Sequence, residues 1–161
     1  MRLSRRRGAA LAVGLLVAAD WASKGLVATG IGLGRPLVDG WLSLELRRNP
    51  GITLGSLSSL PDPWRTGLLA AATLFGIAMC ARLLAASADV RVKWAAALVM
   101  AGAVGNLGDR LMDGGVTDFI YVHFFPYIFN VADIAITIGG VLLVLRMLFD
   151  RPGDEPAPTH A

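Results

Sequence analysis

Cysteine is almost absent from this sequence: Cys80 stands alone, so the chain forms no internal disulfide and cannot by itself assemble a cysteine-based zinc cluster. Histidine is nearly as scarce. His123 and His160 are far apart and belong to no His-Glu-x-x-His helix, so zinc proteolysis lacks its ligands. Charge is the third shortage: 17% of residues are charged and 55% hydrophobic, where a soluble domain has about 25% charged and roughly 45–50% apolar. A mean hydropathy of +0.59 excludes a disordered chain. With 161 residues, the chain is too short to enclose so much apolar side chain in one water-soluble core. It reads as a membrane protein. The net charge of +3 does not signal nucleic-acid binding, because the excess is local: Arg2, Arg5, Arg6 and Arg7 precede an apolar run, as in membrane orientation. Long alternating strand segments are also lacking, so the spans are read as helices.

A bilayer core about 30 Å thick takes roughly 20 helical residues. Four windows have that length: about 9–28, containing Asp20 and Lys24; about 67–86, with Arg82 near its end; about 94–112, containing Asp109 and Arg110; and about 128–148, whose stretch to Leu145 is broken only by Asp133. The predicted fold class is mainly α in a membrane: four transmembrane helices, with a small β-rich extracytoplasmic cap between helices one and two. The cap falls in the outer loop 29–65, where Leu37, Val38, Trp41, Leu42, Leu44 and Leu46 partly alternate with Asp39, Ser43, Glu45 and Arg47. Residues 1–149 form a single domain, and 150–161, with Pro152, Gly153, Pro156 and Pro158, reads as a disordered cytoplasmic tail. The arginine-rich start places the N-terminus in the cytoplasm, and four spans return the C-terminus there. Arg35, Arg47, Arg48 and Arg65 in the outer loop run against that rule. A cleaved signal peptide ending near Val17-Ala18-Ala19 is the alternative for the first window. The apolar pattern continuing through Trp21, Leu26 and Val27 favours a retained helix.

Ionisable groups inside spans cost at least a few kcal/mol each, which makes them functional candidates. Asp20 and Lys24, four apart, share a helical face and can neutralise each other; a purely structural ion pair explains them equally well. Asn106, Asp109 and Arg110 share a face of the third helix, and Asn130 and Asp133, three apart, are read onto one face of the fourth. With helices alternating in direction, Lys24, Asp109 and Asp133 fall at one depth, toward the outer leaflet. Asp118 follows in the connection from Gly114 to Phe119, near enough to return over the same end. Two carboxyls in a low-dielectric pocket cannot both ionise easily, so one proton is shared. The ionised member can activate water while the protonated one assists a developing oxyanion, which is amide hydrolysis without a metal.

Other chemistries use the same inventory. A serine such as Ser56 or Ser58 can be a nucleophile if Lys24 is its base, since Ser23 points elsewhere on the helix. A transporter or proton-coupled channel can use Asp20, Lys24, Asp109 and Asp133 as a relay, although the inner halves of the helices are nearly free of charge. A lipid phosphotransferase can hold magnesium on Asp109, Asp113, Asp118 and Asp133. Cys80, Gly102 and Gly105 read as packing, and His123, among Phe124, Phe125 and Tyr127, as an interfacial residue.

Five motifs in order, spanning Leu11 to Leu148, resemble the bacterial lipoprotein signal peptidase family (signal peptidase II), which are four-helix membrane aspartic endopeptidases. Asp20-Trp21-Ala22-Ser23-Lys24 looks like the first-helix motif, whose acid and lysine support the site. Asn49-Pro50-Gly51-Ile52-Thr53-Leu54-Gly55 is similar to the outer-loop motif, whose asparagine and glycine help form the substrate site; the family usually has phenylalanine where this chain has Leu54. Gly105-Asn106-Leu107-Gly108-Asp109-Arg110 fits the third-helix motif. Val116-Thr117-Asp118-Phe119 and Phe129-Asn130-Val131-Ala132-Asp133 fit the two motifs that carry the catalytic aspartates.

The resemblance implies Asp118 and Asp133 as the catalytic dyad. It implies Asn49, Gly51, Asn106, Asp109, Arg110 and Asn130, with Asp20 and Lys24, as substrate-binding or supporting residues, and neither metal nor other cofactor. The implied substrates are diacylglyceryl-modified prolipoproteins, cut immediately before the lipidated cysteine. The expected partners are these prolipoproteins and membrane lipids, with no nucleic acid, and nothing in the sequence requires more than a monomer. The expected location is the bacterial cytoplasmic membrane, with both termini cytoplasmic and the site toward the outer leaflet.

Overall fold

A computed structural model of the protein describes residues 2–34, 36–51 and 60–149. Leu54, Ser56, Ser58 and the predicted tail 150–161 lie outside the described residues. The element order is α1 (Arg2–Ala28), β1 (Pro36–Val38), β2 (Leu42–Asn49), α2 (Asp62–Ala86), α3 (Val90–Asp113), β3 (Val116–Val122), β4 (Ile128–Phe129) and α4 (Val131–Phe149). All four helices contain stretches long and apolar enough to cross a membrane.

α3 is the central helix: half of its span is buried, against 11–17% for the other three. α1, α2 and α4 pack on it, while their outer faces leave Leu11, Leu15, Leu74, Phe75, Val144 and Met147 exposed, as suits a lipid surround. Its central place follows from small side chains, for Ala95, Ala96, Ala97, Ala101, Gly102, Ala103 and Gly105 are all buried. A Cβ added at Gly102 would run into the Ala132 carbonyl oxygen of α4, and one at Gly139 would stand 2.6 Å from the Ala95 carbonyl oxygen. In lipid, where apolar burial drives helix association weakly, such close backbone approach carries the packing.

The two ends of the bundle differ. At one end, Asp89 caps α3 by accepting the Arg91 N–H at 2.8 Å and receives Arg146 Nε from α4 at 2.6 Å. At the other, α3 stops at Gly114, whose φ of 73° turns the chain into β3 while its N–H returns to the Arg110 carbonyl.

The expected β cap is present, and it is larger than the loop between α1 and α2. Its four strands form an antiparallel sheet in the order β1-β2-β3-β4, and β3 and β4 come from the connection between α3 and α4. The β-branched and aromatic run from Val116 to Val122, preceded by Gly114-Gly115, is the local signal for β3. The fourth helix, predicted from 128, begins at Val131, because Ile128 and Phe129 pair with Tyr121 and Ile120. α2 starts earlier than predicted, at Asp62, with a proline in its first turn where the missing N–H costs nothing. In the β2–β3 ladder Arg47 lies opposite Asp118 and Asn49 opposite Val116, after a register shift between Leu44 and Arg47. Asn49 is therefore a diagonal neighbour of Asp118 on one face.

Candidate active site

Asp133 occupies the first turn of α4. Asn130 does not share a helical face with it, as the spacing predicted, but stands just before the helix and caps it. Its Oδ1 accepts the Asp133 N–H at 2.9 Å, and Asp133 Oδ2 accepts the Asn130 N–H at 3.2 Å. This reciprocal pair satisfies donors that a helix N-terminus otherwise leaves open. Because Asn130 Oδ1 faces a backbone N–H, its Nδ2 is free to donate to Asp118 Oδ1 at 2.7 Å and to Asn106 Oδ1 at 3.1 Å. Asn106, on α3, donates its own Nδ2 to Asp133 Oδ1 at 2.8 Å. Two buried amides thus link the carboxyls of Asp118 and Asp133. Asn49 completes the surroundings of Asp118 by donating Nδ2 to Oδ2 at 2.9 Å.

Behind these residues lies Lys24, only 6% exposed. Its Nζ is 2.7 Å from Asp20 Oδ2, 3.0 Å from Asp109 Oδ2 and 3.3 Å from Asn106 Oδ1. Each of the two acids it pairs also holds a backbone N–H. Asp20 Oδ1 accepts from Ala132, immediately before Asp133, and Asp109 Oδ2 accepts from Thr117, immediately before Asp118, both at 2.9 Å. One ammonium therefore neutralises the two carboxylates that anchor the backbone on which each dyad member sits. A buried charge needs such pairing to be tolerated at all.

Arg110 directs Nη1 to the Asn106 carbonyl at 3.4 Å and has Asp133, Asp118 and Asp109 as its charged neighbours. Gly51, at φ +87°, donates its N–H to Asn49 Oδ1 at 2.8 Å. The Asp118 side chain lies on β3, beyond the helices, in a residue 2% exposed. Burial pushes its carboxyl up to about 6; the hydrogen bonds from Asn49 and Asn130 and the Lys24 charge pull against that rise, while the Asp133 charge adds to it.

Every predicted site residue lies at the sheet end of the bundle. Of the residues weighed for other chemistry, Asp113 faces Arg48 at 3.7 Å, while Ser56 and Ser58 fall outside the described residues. Ser23 Oγ donates to the Asp20 carbonyl at 2.7 Å, and Cys80, read as packing, is buried in α2. Among the described residues, no three His, Cys, Asp or Glu side chains form a group able to hold a metal. His123 shares a 3.1 Å hydrogen bond with Ser43 and stacks on Tyr121. The sequence reading missed the backbone donors of Thr117 and Ala132 as site components. It also left Arg48 and Arg65 as breaches of the orientation rule; both have partners in the fold, Arg48 with Asp113 and Arg65 with Asp62.

Residues 12–149 match the family described as signal peptidase (SPase) II. The chain belongs to the signal peptidase II family. It is 39% identical over 115 residues to the lipoprotein signal peptidase of Aquifex aeolicus, covering 70% of this chain and 69% of that relative. To the lipoprotein signal peptidase of Syntrophus aciditrophicus it is 34% identical over 145 residues, covering 86% and 90%. A solved structure described as a bacterial membrane enzyme superposes with a TM-score of 0.77 at 28% identity, covering 89% of this chain and 94% of that one. As a signal peptidase II, the chain is a multi-pass membrane protease, and the transporter reading is without support.

Proposed function

We propose that Asp118 and Asp133 are the catalytic dyad of a metal-free lipoprotein signal peptidase, which removes the signal peptide from diacylglyceryl-modified prolipoproteins by cutting before the lipidated cysteine. The observation that carries this reading is Asn130: its Nδ2 donates to Asp118 while its Oδ1 and N–H fix Asp133, so a single residue sets both carboxyls.

Asp133, held by Asn106 and by the Asn130 N–H, is assigned the role of base. Asp118, whose carboxyl is drawn up to about 6, is suited to keep the proton. Asp133 takes a proton from water as the water oxygen adds to the scissile carbonyl carbon, and Asp118 donates its proton to the carbonyl oxygen. When the tetrahedral intermediate collapses, the C–N bond breaks, the departing cysteine nitrogen takes the proton held by Asp133, and Asp118 recovers its own. Arg110, Asn49 and Gly51, close to the dyad, are the residues that would hold the substrate backbone.

The setting is part of the proposal. A lipidated cysteine is anchored in the outer leaflet, and a dyad at the sheet end meets it there if the arginine-rich N-terminus is cytoplasmic. That places the protein in the bacterial cytoplasmic membrane with both termini inside, working as a monomer among membrane lipids, with residues 1–149 as one unit. The test is cleavage of a diacylglyceryl-modified prolipoprotein by the purified protein in detergent. Cleavage is expected to survive EDTA and to disappear in Asp118→Asn and in Asp133→Asn. Loss of activity in chelator would restore the magnesium reading, and near-normal turnover by either variant would remove that residue from the dyad.

A further inference from the structure

β2 ends at Asn49, and in the Pro50-Gly51 that follows one peptide unit is held from both sides. The N–H of the Pro50–Gly51 peptide donates to Asn49 Oδ1 at 2.8 Å, and its carbonyl oxygen, that of Pro50, accepts Arg65 Nε at 3.0 Å. Arg65 lies in the first turns of α2, far from the dyad in sequence, and is 7% exposed. Its other donors go to the Leu60 carbonyl at 3.5 Å and to the Asp62 carboxylate. A peptide unit is planar, so fixing its carbonyl fixes the direction of its N–H. Gly51, in the left-handed region, has little intrinsic preference and leaves that direction to outside contacts. The N–H in turn decides which edge of the Asn49 amide is carbonyl, and hence that Nδ2 faces Asp118 Oδ2.

We propose that Arg65 is a positioning residue for Asp118, acting through the Pro50–Gly51 peptide and the Asn49 amide. The proposal rests on the reading of Asp118 as a dyad member. A guanidinium suits this task because its rigid planar fork holds two carbonyls and a carboxylate in fixed directions, whereas the three donors of an ammonium rotate on a flexible stem. The other charged residues around Asp118 are Asp133 on α4, Lys24 on α1, Arg110 on α3 and Arg47, its cross-strand partner on β2, and they are unchanged in the variants below.

The experiment compares Arg65→Gln and Arg65→Lys with the parent, as full-length protein in detergent, on a diacylglyceryl-modified prolipoprotein. Arg65→Gln is expected to lower kcat/KM about tenfold, the scale of one positioned hydrogen bond. It also moves the alkaline fall of the pH profile upward, because a loosened Asn49 donor no longer favours the charged form of Asp118. In an Asn49→Ala background the same substitution adds no further loss and no further shift. Arg65→Lys gives a smaller shift in the same direction and serves as the readout if the glutamine variant does not fold. An unmoved alkaline limb, or losses that multiply in the Asn49→Ala background, would overturn the proposal and leave Arg65 as an anchor of α2. Asp118→Asn, assayed alongside, separates the two questions: if it retains turnover, the dyad reading fails whatever Arg65 does.

Discussion

Asn130 and Asp133 cap each other at the start of α4, each accepting the other's backbone N–H, at 2.9 and 3.2 Å. A proposed catalytic acid therefore also serves as a helix cap. Asp133→Asn keeps an acceptor oxygen at that position and is expected to lose activity with little change in thermal unfolding in detergent. Asp133→Ala loses both roles and is expected to be less stable by about 1 kcal/mol. Equal unfolding temperatures for the two variants would show that the cap contributes nothing.

Asp118 predicts a pH dependence of stability. Its carboxyl titrates at about 6 in the folded protein against an ordinary 3.8. Between those values the folded state holds a proton that the unfolded state has released, so stability is greatest below about 4, falls as pH rises to about 6, and is level beyond. The full difference is about 3 kcal/mol. Asp118→Asn has no such proton, so its unfolding temperature, measured against the parent from pH 4 to 7, gains on it up to about pH 6 and then holds a constant offset. Parallel curves would mean that burial does not act on Asp118 as described.

Lys24 predicts a cost shared by both halves of the site. Lys24→Met leaves Asp20 and Asp109 facing each other without their counter-ion and is expected to destabilise the protein by about 3–5 kcal/mol. Adding Asp20→Asn removes one uncompensated charge while keeping an acceptor for the Ala132 N–H, and is expected to recover part of the loss. Thermal unfolding of the two variants in detergent is the check. An unfolding temperature unchanged by Lys24→Met would show that the ammonium is dispensable.

Membrane residence, the four spans and the motifs from which the dyad is proposed were legible in the sequence by itself, because they rest on local properties. An apolar window about 20 residues long partitions into lipid wherever its neighbours are, and a motif such as Phe129-Asn130-Val131-Ala132-Asp133 is contiguous. The residues around the aspartates have their roles set by partners distant in the chain. Asp20 reaches the Ala132 N–H across 112 positions, and Asn49 reaches Asp118 across 69. Spacing put Asn130 on a helical face, whereas strand pairing of Ile128 and Phe129 delays the start of α4 and makes Asn130 its cap. Arg65, a misplaced surface charge by orientation rules, is buried against the Pro50 carbonyl. Local composition decides where a segment resides, but a hydrogen bond requires two groups within about 3 Å. The packing of α1, α2 and α4 on α3, close at Gly102, Gly105 and Gly139, and the β2–β3 register bring these groups together.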